Sequence, residues 1–401
     1  MIEAVILAGL RTPIGRFQGG LQSFSAVQLG TRVVKALLDR LAFPSEMIEE
    51  IIMGNVISAG LGQNPARQIG LRAGLSPRAS ALTINKVCGS GLKAVGLAAQ
   101  SIWLGEASLV VAGGAESMTN APYILPQARG GLRLGHGKIL DAMIQDGLWD
   151  AFEDFHMGLT GEIVAERYHI TREQQDEYAL NSHRKAVAAT KEGRFISQIV
   201  PVPIRGKIGT PTLLQIDEGP REDSTLDKLH SLNPVFKSDG TITAGNAPGT
   251  NDGAAAVVLA SIQKARELGL EPMATVIAQS VSGVPPRDVM MAPVSAVEQL
   301  WKKTGWSKDE VDLYEINEAF SVQAIAVVDQ LRLDPARVNV NGGSVALGHP
   351  IGASGARILV TLLHEMVRRD VGRGIAALCL GGGNAVAMAV ERGAQSSKSR
   401  V

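Results

Sequence analysis

The 401-residue sequence predicts an α/β protein in which one helix-and-strand unit occurs twice. The repeat is CGSGLKAVGLAAQSIWLGEASLVVAGGAES from Cys88 and GHPIGASGARILVTLLHEMVRRDVGRGIAALCLGGGNAV from Gly348. Each copy has a glycine-rich turn with a Ser-Gly pair, apolar residues at helical spacing, then an apolar strand and a Gly-Gly turn. The Ser-Gly glycine and the first glycine of that turn are 22 residues apart in one copy (91 to 113) and 26 in the other (355 to 381). This pattern indicates a duplicated α/β domain, with chance similarity among glycine-rich turns as the alternative at this point.

The composition is that of a globular protein with several cores. Apolar residues make up 45% and charged residues 19%, and the length allows two or three domains. Lys plus Arg and Asp plus Glu both number 39, so the charge gives no reason to expect nucleic acid or an anionic membrane as a partner. Two cysteines cannot form a disulfide framework, which favours a reducing, cytoplasmic compartment.

The N-terminal stretch MIEAVILAGL is interpreted as a first strand. It lacks a basic segment, and Arg11-Thr12-Pro13 ends its apolar run, so it does not resemble a signal peptide. The longest uncharged run, residues 374–390, is divided by Gly381-Gly382-Gly383-Asn384 into two strand-sized pieces. We therefore expect a soluble protein without a membrane span.

A segment of different composition separates the two copies, with more charge, more proline and long helical patterns. One helix begins at Thr171, which forms a T-x-x-Q capping box with Gln174. The segment PVPIRGKIGTPTLLQIDEGPRED is typical of strands and loops. The later segment TAGNAPGTNDGAAAVVLAS again has the pattern of an apolar strand. We predict a first half at 1–117 plus 250–270, an inserted lobe at 118–249, a second half at 271–393 and a loose polar tail at 394–401.

Cys88 directly precedes the predicted helix of the first copy. The unpaired amides and macrodipole of a helix N-terminus lower a thiol pKa, which would make Cys88 reactive. For a lone cysteine, an inert buried side chain is the commoner situation. GSGLKA also matches the dinucleotide-binding pattern G-x-G-x-x-A. However, it does not open the first βαβ unit and a cysteine occupies its turn, so nicotinamide-cofactor binding is a minor alternative.

His349 occupies in the second copy the turn that Cys88 occupies in the first. Pseudo-symmetry would bring the two helix N-termini together and create a Cys–His pair of the kind that generates a thiolate. Cys379 ends the last apolar strand before the glycine triplet, and Asn317 follows a strand in YEINEAFS. A buried strand cysteine and a helix N-cap are their structural alternatives. All four residues lie at strand or helix ends, where α/β proteins build their sites.

Four motifs, NKVCGSGLKA, NEAF, NGGSVALGHPIGASG and CLGGGNAVAM, resemble the signature motifs of thiolases. The resemblance extends from VILAGLRTPIGRFQG to the last strand. It implies two βαβαβαββ halves layered α-β-α-β-α, with an inserted loop domain that holds coenzyme A. It also implies a reversible, ping-pong Claisen condensation of acetyl-CoA to acetoacetyl-CoA and CoA through an acetyl-cysteine. No metal or separate cofactor is implied, because CoA is itself substrate and product.

The resemblance also assigns roles to individual residues. Cys88 would be the nucleophile, His349 would deprotonate it, and Cys379 would remove the α-proton of the second acetyl-CoA. His349 and a water held by Asn317 would form one oxyanion hole, and the backbone amides of Cys88 and Gly381 the other. The remaining implied contacts with the acyl group or CoA are Leu148, His156, Met157, Arg221, Phe236, Ala244, Gly245, Pro248, Ala319 and Phe320.

Three further segments bear on assembly and substrate. GGLRLGHG (130–137) resembles the loop that joins two dimers, which implies a homotetramer. Pro248 stands where the family commonly has a serine that donates to pantetheine. VMMAP (289–293) replaces the usual M-G-x-G-P. The last two departures lie near the implied CoA channel and bear on affinity and acyl-chain preference.

Two other functions remain to be weighed against this one. A decarboxylating ketosynthase shares the fold and the nucleophile, but it has a second histidine or an asparagine where this chain has Cys379. A catalytically idle CoA-binding or scaffold protein would fit the loss of serine at Pro248. Cys379 argues against the first, and the retention of all four polar residues argues against the second.

Overall fold

The N-terminal part of the chain alternates strands and helices, as the sequence predicts. The structure, a computed structural model, describes residues 2–205 and 211–393; the tail at 394–401 lies outside the described residues. The first strand is found where it is expected. The elements are β1 (Ala4–Arg11), β2 (Gly15–Arg16), α1 (Ala26–Leu41), β3 (Glu50–Gly54), α2 (Pro65–Ala73), β4 (Ser80–Ile84), α3 (Ser90–Leu104) and β5 (Leu109–Ser117).

The segment between the two copies contains short strands and polar helices. The Thr171 capping box is confirmed: its Oγ accepts from the Gln174 amide at 3.3 Å, and its amide donates to the Gln174 side chain at 2.8 Å. A π-helical turn, Met143–Leu148, follows β7. The elements are β6 (Tyr123–Ile124), β7 (Leu140–Asp141), β8 (Trp149–Asp150), β9 (Phe155–His156), α4 (Gly158–Arg167), α5 (Arg172–Lys191), β10 (Val202–Arg205), β11 (Pro211–Leu214) and α6 (Leu226–His230).

The C-terminal part returns to long apolar strands. Its elements are β12 (Asn251–Ser261), α7 (Ile262–Glu267), β13 (Ala274–Gly283), α8 (Ala292–Thr304), β14 (Leu313–Ile316), α9 (Ser321–Leu331), α10 (Ser344–Leu347), α11 (Ile351–Arg369), β15 (Arg373–Leu380) and β16 (Asn384–Glu391). Short 3₁₀ turns occur at Ser45–Met47, Ala128–Gly130, Pro286–Met291, Lys308–Glu310 and Pro335–Arg337.

The main sheet has two ends that are built alike. Its strand order is β4-β3-β5-β12-β1-β13-β16-β15-β14, with β2 beside β12. Outward from the central antiparallel β1–β13 pair, β12, β5 and β3 on one side correspond to β16, β15 and β14 on the other. Val338 forms a parallel bridge with Tyr314 of β14, where the counterpart of β4 would lie. The two halves are therefore related by a pseudo-twofold axis close to the β1–β13 pair.

The helices and the two halves of the main sheet form five layers. Helices α3 and α11 share one core with strands from both halves and pack against each other. Helices α1 and α2 cover the outer face of the N-terminal half, and α8 and α9 cover that of the C-terminal half. The arrangement is α-β-α-β-α, which confirms the predicted duplicated α/β fold.

The two central helices approach each other at their first turns. A Cβ on Gly91 of α3 would lie 2.9 Å from the Ala356 nitrogen and 3.0 Å from the Gly352 oxygen. On Gly355 of α11 it would lie 2.5 Å from the Leu92 nitrogen. These obstacles are backbone atoms that cannot rotate away, so the close approach requires glycine on both helices. The repeated Ser-Gly pairs of the sequence therefore mark the contact between the two halves.

We predict that Gly91→Ala lowers the free energy of unfolding by about 1–3 kcal/mol, because the new methyl group overpacks this contact. Chemical denaturation measures the change. The matched control is Gly96→Ala in the same helix, where the methyl group would meet the end of the Gln279 side chain. That side chain can turn away, and alanine is the better helix former by about 1 kcal/mol. Equal losses in the two variants would contradict the account of the crossing.

Candidate active site

A cavity of about 320 Å³ lies where the two halves meet the inserted segment. Its wall contains residues from both copies of the repeat and from the segment between them. Most of the residues that the sequence predicts for the site line this cavity, namely Cys88, Leu148, His156, Met157, Phe236, Pro248, Ala319, Phe320, His349, Cys379 and Gly381.

Cys88 lies in the turn between β4 and α3, two residues before the helix begins. Ser90 closes this turn: its Oγ accepts from the Lys86 amide at 2.8 Å and donates to the Val87 carbonyl at 2.6 Å. Val87 has a φ of 45°, in the left-handed region that a β-branched residue rarely adopts. Backbone strain of this kind concentrates at functional sites.

Burial dominates the ionisation of Cys88. It raises the pKa of the thiol from 9.0 to about 12, and the Glu116 carboxylate raises it slightly further. The nearby backbone amides of Cys88 and Gly381 lower the pKa, but they do not offset burial. The expectation of a low thiol pKa is therefore wrong. The same two amides are the donors that the resemblance assigns to an oxyanion hole.

His349 lies in the turn between α10 and α11, and its hydrogen bonds fix the tautomer of the ring. Its backbone amide donates to Asn251 Oδ1 at 2.8 Å. Its Nδ1 is 2.6 Å from Ser354 Oγ, which donates its one hydrogen to the Pro350 carbonyl at 2.9 Å. Nδ1 must therefore be the donor to Ser354, which leaves a lone pair on Nε2. Burial, assisted by the charge of Arg357, lowers the pKa of His349 to about 3, so the ring is neutral at pH 7.

Cys379 is at the end of β15 and is 4% exposed. Burial and then the charge of Cys88 raise the pKa of its thiol. Because ionisation of one thiol opposes ionisation of the other, the two sulfurs are electrostatically coupled. Both side chains are therefore protonated thiols at neutral pH.

Asn317 directly follows β14, is 1% exposed and is not among the residues that line the cavity. Its backbone amide donates to the Ala377 carbonyl at 2.9 Å, and its Oδ1 accepts from Ser344 Oγ at 2.6 Å. Its Nδ2 has no hydrogen-bond partner among residues 2–205 and 211–393. The N-cap alternative is wrong, because Phe320 is the residue that precedes α9.

Aromatic and aliphatic side chains form much of the cavity wall. His156 stacks on Phe236 with ring centroids 4.6 Å apart, and Phe236 meets Phe320 edge-on at 6.2 Å. Burial lowers the pKa of His156, so this ring is neutral. The wall also contains residues from both departures from the thiolase pattern. These are Pro248, and Val289 and Met290 from the VMMAP segment. Both departures therefore change the wall of this cavity.

Three predicted contact residues do not line the cavity. Arg221 and Ala244 are exposed, and the Arg221 amide donates to His183 Nδ1 at 3.1 Å. Gly245 is buried, and a Cβ there would meet the side chains of Leu229 and Leu232. Their contacts with CoA remain predictions.

Several polar residues behind the cavity were not predicted from the sequence. Glu116 is fully buried; burial raises its pKa to about 7, and it accepts from the amides of Val56, Ile57 and Gly352. It therefore joins the first half to the N-terminus of α11. A carboxylate at the end of the apolar strand VVAGGAES was the available signal. Asn251, Ser354, Ser344 and Arg357 gave no comparable signal.

The described residues contain neither a metal-binding cluster nor a membrane-spanning helix. Among residues 2–205 and 211–393, no set of three His, Cys, Asp or Glu side chains is arranged to hold a metal ion. Within the same ranges, no helix has the length and apolar character required to cross a bilayer.

Comparisons with known proteins cover nearly the whole chain. The family models for the thiolase N-terminal and C-terminal domains match residues 4–263 and 270–392. The chain is 53% identical over 392 residues to the acetyl-CoA acetyltransferase of Cupriavidus necator and 51% identical over 392 residues to that of Pseudomonas aeruginosa. It is 47% identical over 392 residues to a probable acetyl-CoA acyltransferase of Staphylococcus aureus. Each alignment covers 98% of this chain and 100% of the relative.

We predict that alkylation of Cys88 by iodoacetamide accelerates steadily from about pH 7 to about pH 10. The thiolate fraction rises about tenfold per pH unit below the pKa, and burial raises that pKa to about 12. Mass spectrometry of a Cys379→Ser variant measures the rate at one thiol, with a cysteine peptide as the reference. A plateau below about pH 8 would contradict the dominance of burial.

Proposed function

Because the chain belongs to the thiolase family, we propose that it catalyses the reversible Claisen condensation of two acetyl-CoA molecules to acetoacetyl-CoA and CoA. The main support is that Cys88, Cys379 and His349 line the same largely apolar cavity. The names of the Cupriavidus and Pseudomonas relatives support acetyl-CoA as the substrate.

In the first half-reaction, Cys88 Sγ attacks the acetyl carbonyl and its proton passes to His349 Nε2. The bond between the carbonyl carbon and the CoA sulfur breaks, and Cys379 supplies the proton that the departing CoA requires. The amides of Cys88 and Gly381, which are near enough to the sulfur to lower its pKa, stabilise the negative carbonyl oxygen. One thioester replaces another, so the acetyl-enzyme is neither a deep trap nor a high barrier.

In the second half-reaction, the Cys379 thiolate takes the α-proton of a second acetyl-CoA. The resulting carbanion attacks the acetyl carbon on Cys88, and the released sulfur recovers its proton from His349. Cys379 is already a thiolate when this half-reaction begins, because it gave its proton to the departing CoA in the first half-reaction. The acetyl-enzyme therefore carries the base that the second step requires, which favours a ping-pong order in which the acetyl-enzyme forms first.

The proposal extends to CoA binding and assembly. Leu148, His156, Met157, Phe236, Pro248, Ala319 and Phe320 enclose the acyl group and pantetheine, and Arg221, Ala244 and Gly245 contact the outer part of CoA. In the loop at 130–137, Leu132 is 53% exposed and Leu134 is 101% exposed. Apolar exposure of this kind supports a dimer-of-dimers contact. A free-thiol mechanism suits the reducing cytoplasm.

An absorbance assay with acetoacetyl-CoA and free CoA tests the function. The native chain should consume acetoacetyl-CoA, whereas a decarboxylating ketosynthase or an idle CoA-binding protein would leave it intact. Cys379→Ser should still acquire an acetyl group at Cys88 but lose condensation and thiolysis by about 10²–10⁴-fold, because a hydroxyl is a poor base.

Cys88→Ala is the control for this experiment. It should lose the acetyl label and the thiolysis together, since no other residue is placed to hold the acetyl group. Stable acetylation of Cys88→Ala would contradict the assignment of the nucleophile. If Cys379→Ser lost both half-reactions to the same extent, Cys379 would be structural instead.

A further inference from the structure

A buried arginine on α11 is connected to Asn317 through one serine. Arg357 Nη2 donates to Ser344 Oγ at 2.7 Å, and Ser344 Oγ donates to Asn317 Oδ1 at 2.6 Å. The exposed fractions of the three residues are 2%, 0% and 1%, so bulk water does not compete for these hydrogen bonds. This series of hydrogen bonds runs from the central helix layer to the end of β14.

Arg357 fixes the donor-to-acceptor direction of these hydrogen bonds. A guanidinium can only donate hydrogen bonds, and a serine hydroxyl has a single hydrogen. Ser344 therefore accepts from Arg357 and must donate to Asn317, so the asparagine turns its Oδ1 towards Ser344. Nδ2 is then the free end of the amide. If a hydrogen-bond acceptor replaced Arg357, Ser344 could accept from Nδ2 instead, and Oδ1 would become the free end.

The free end of the amide lacks a partner. Asn317 Nδ2 forms no hydrogen bond within the described part of the chain. A buried donor left without a partner costs about 1–3 kcal/mol, so a bound water or substrate oxygen would be stabilising there. Asn317 is two residues before Ala319, which lines the cavity. Two residues therefore connect this oriented donor to the cavity wall.

Arg357 forms no short ion pair with a carboxylate among the described residues. The nearest paired carboxylate oxygen, Glu315 Oε2, is 3.9 Å from Nη1, and both atoms lack hydrogen-bond partners within the described ranges. Burial raises the pKa of Glu315, which weakens its ability to compensate the guanidinium charge. Packing alone would favour an apolar side chain at this position over a buried cation. The positive charge of Arg357 also acts on the cavity-lining residue His349, because it helps to lower the pKa of that ring.

We propose that Arg357 is a positioning residue that acts through Ser344 to present Asn317 Nδ2 as a donor to the oxyanion formed during condensation. The proposal deepens the function proposed above and rests on it. The guanidinium also polarises the serine and the amide, which strengthens the donor at the free end. Formation of the carbanion should therefore depend on this hydrogen-bond chain more than acetylation of Cys88 does. In the proposed acetylation step, backbone amides hold the oxyanion.

Ser344→Ala tests the proposal by removing the hydroxyl that joins the two residues. We expect kcat for condensation to fall about 10- to 100-fold, less than the 10²–10³ typical of losing an oxyanion donor itself. The KM for acetyl-CoA and the rate of Cys88 acetylation should stay within about twofold. Exchange of the α-protons of acetyl-CoA with deuterium, followed by NMR, should slow in parallel with condensation.

Ser280→Ala is the matched control, because Ser280 is a buried serine whose hydroxyl donates to the Ala296 carbonyl at 2.6 Å. It should leave the ratio of the two half-reactions unchanged. Arg357→Met should reduce condensation in the same way, and the Ser344→Ala/Arg357→Met double variant should be no slower than the slower single variant. Additive losses, or equal losses in both half-reactions, would overturn the proposal. A native chain without thiolysis would instead overturn the proposed function.

Discussion

The close crossing of α3 and α11 at Gly91 and Gly355 is the contact on which the rest of the site depends. Each helix begins directly after a turn that contains a reactive side chain, Cys88 in one half and His349 in the other. When the two first turns touch, both side chains reach one cavity, and the end of β15 adds Cys379. A bulkier residue at either glycine would separate the two halves where the chemistry is proposed to occur.

Desolvation sets the resting state of this cavity. Burial raises the pKa of both thiols and lowers that of His349, so the reactive groups are uncharged before substrate arrives. Charge must then appear during the reaction, where fixed donors can stabilise it. We propose that the amides of Cys88 and Gly381 serve one position and that the hydrogen-bond chain from Arg357 to Asn317 serves the other. The surrounding apolar wall strengthens both interactions by excluding water.

Much of the fold could be predicted from the sequence, because periodicity and capping are local signals. The repeat and the Thr171 helix are both found in the structure. Pairing of β1 with β13 depends on contacts between distant segments that periodicity does not encode. At the site, turn residues such as Cys88 stood out through their glycine neighbours. Ser344 and Arg357 did not, because each is ordinary in a helix and becomes informative only through a partner across the core.

The central claim, that two thiols almost three hundred residues apart share one cavity that accepts an acetyl group, is tested most directly by a short thiol-to-thiol cross-linker. Treatment with dibromobimane followed by peptide mass spectrometry should yield one bridged adduct that joins the peptides containing Cys88 and Cys379. Prior incubation with acetyl-CoA should prevent the bridge, since the acetyl group then occupies Cys88. Singly attached adducts on each peptide, or a bridge that forms equally well after acetyl-CoA, would contradict the account.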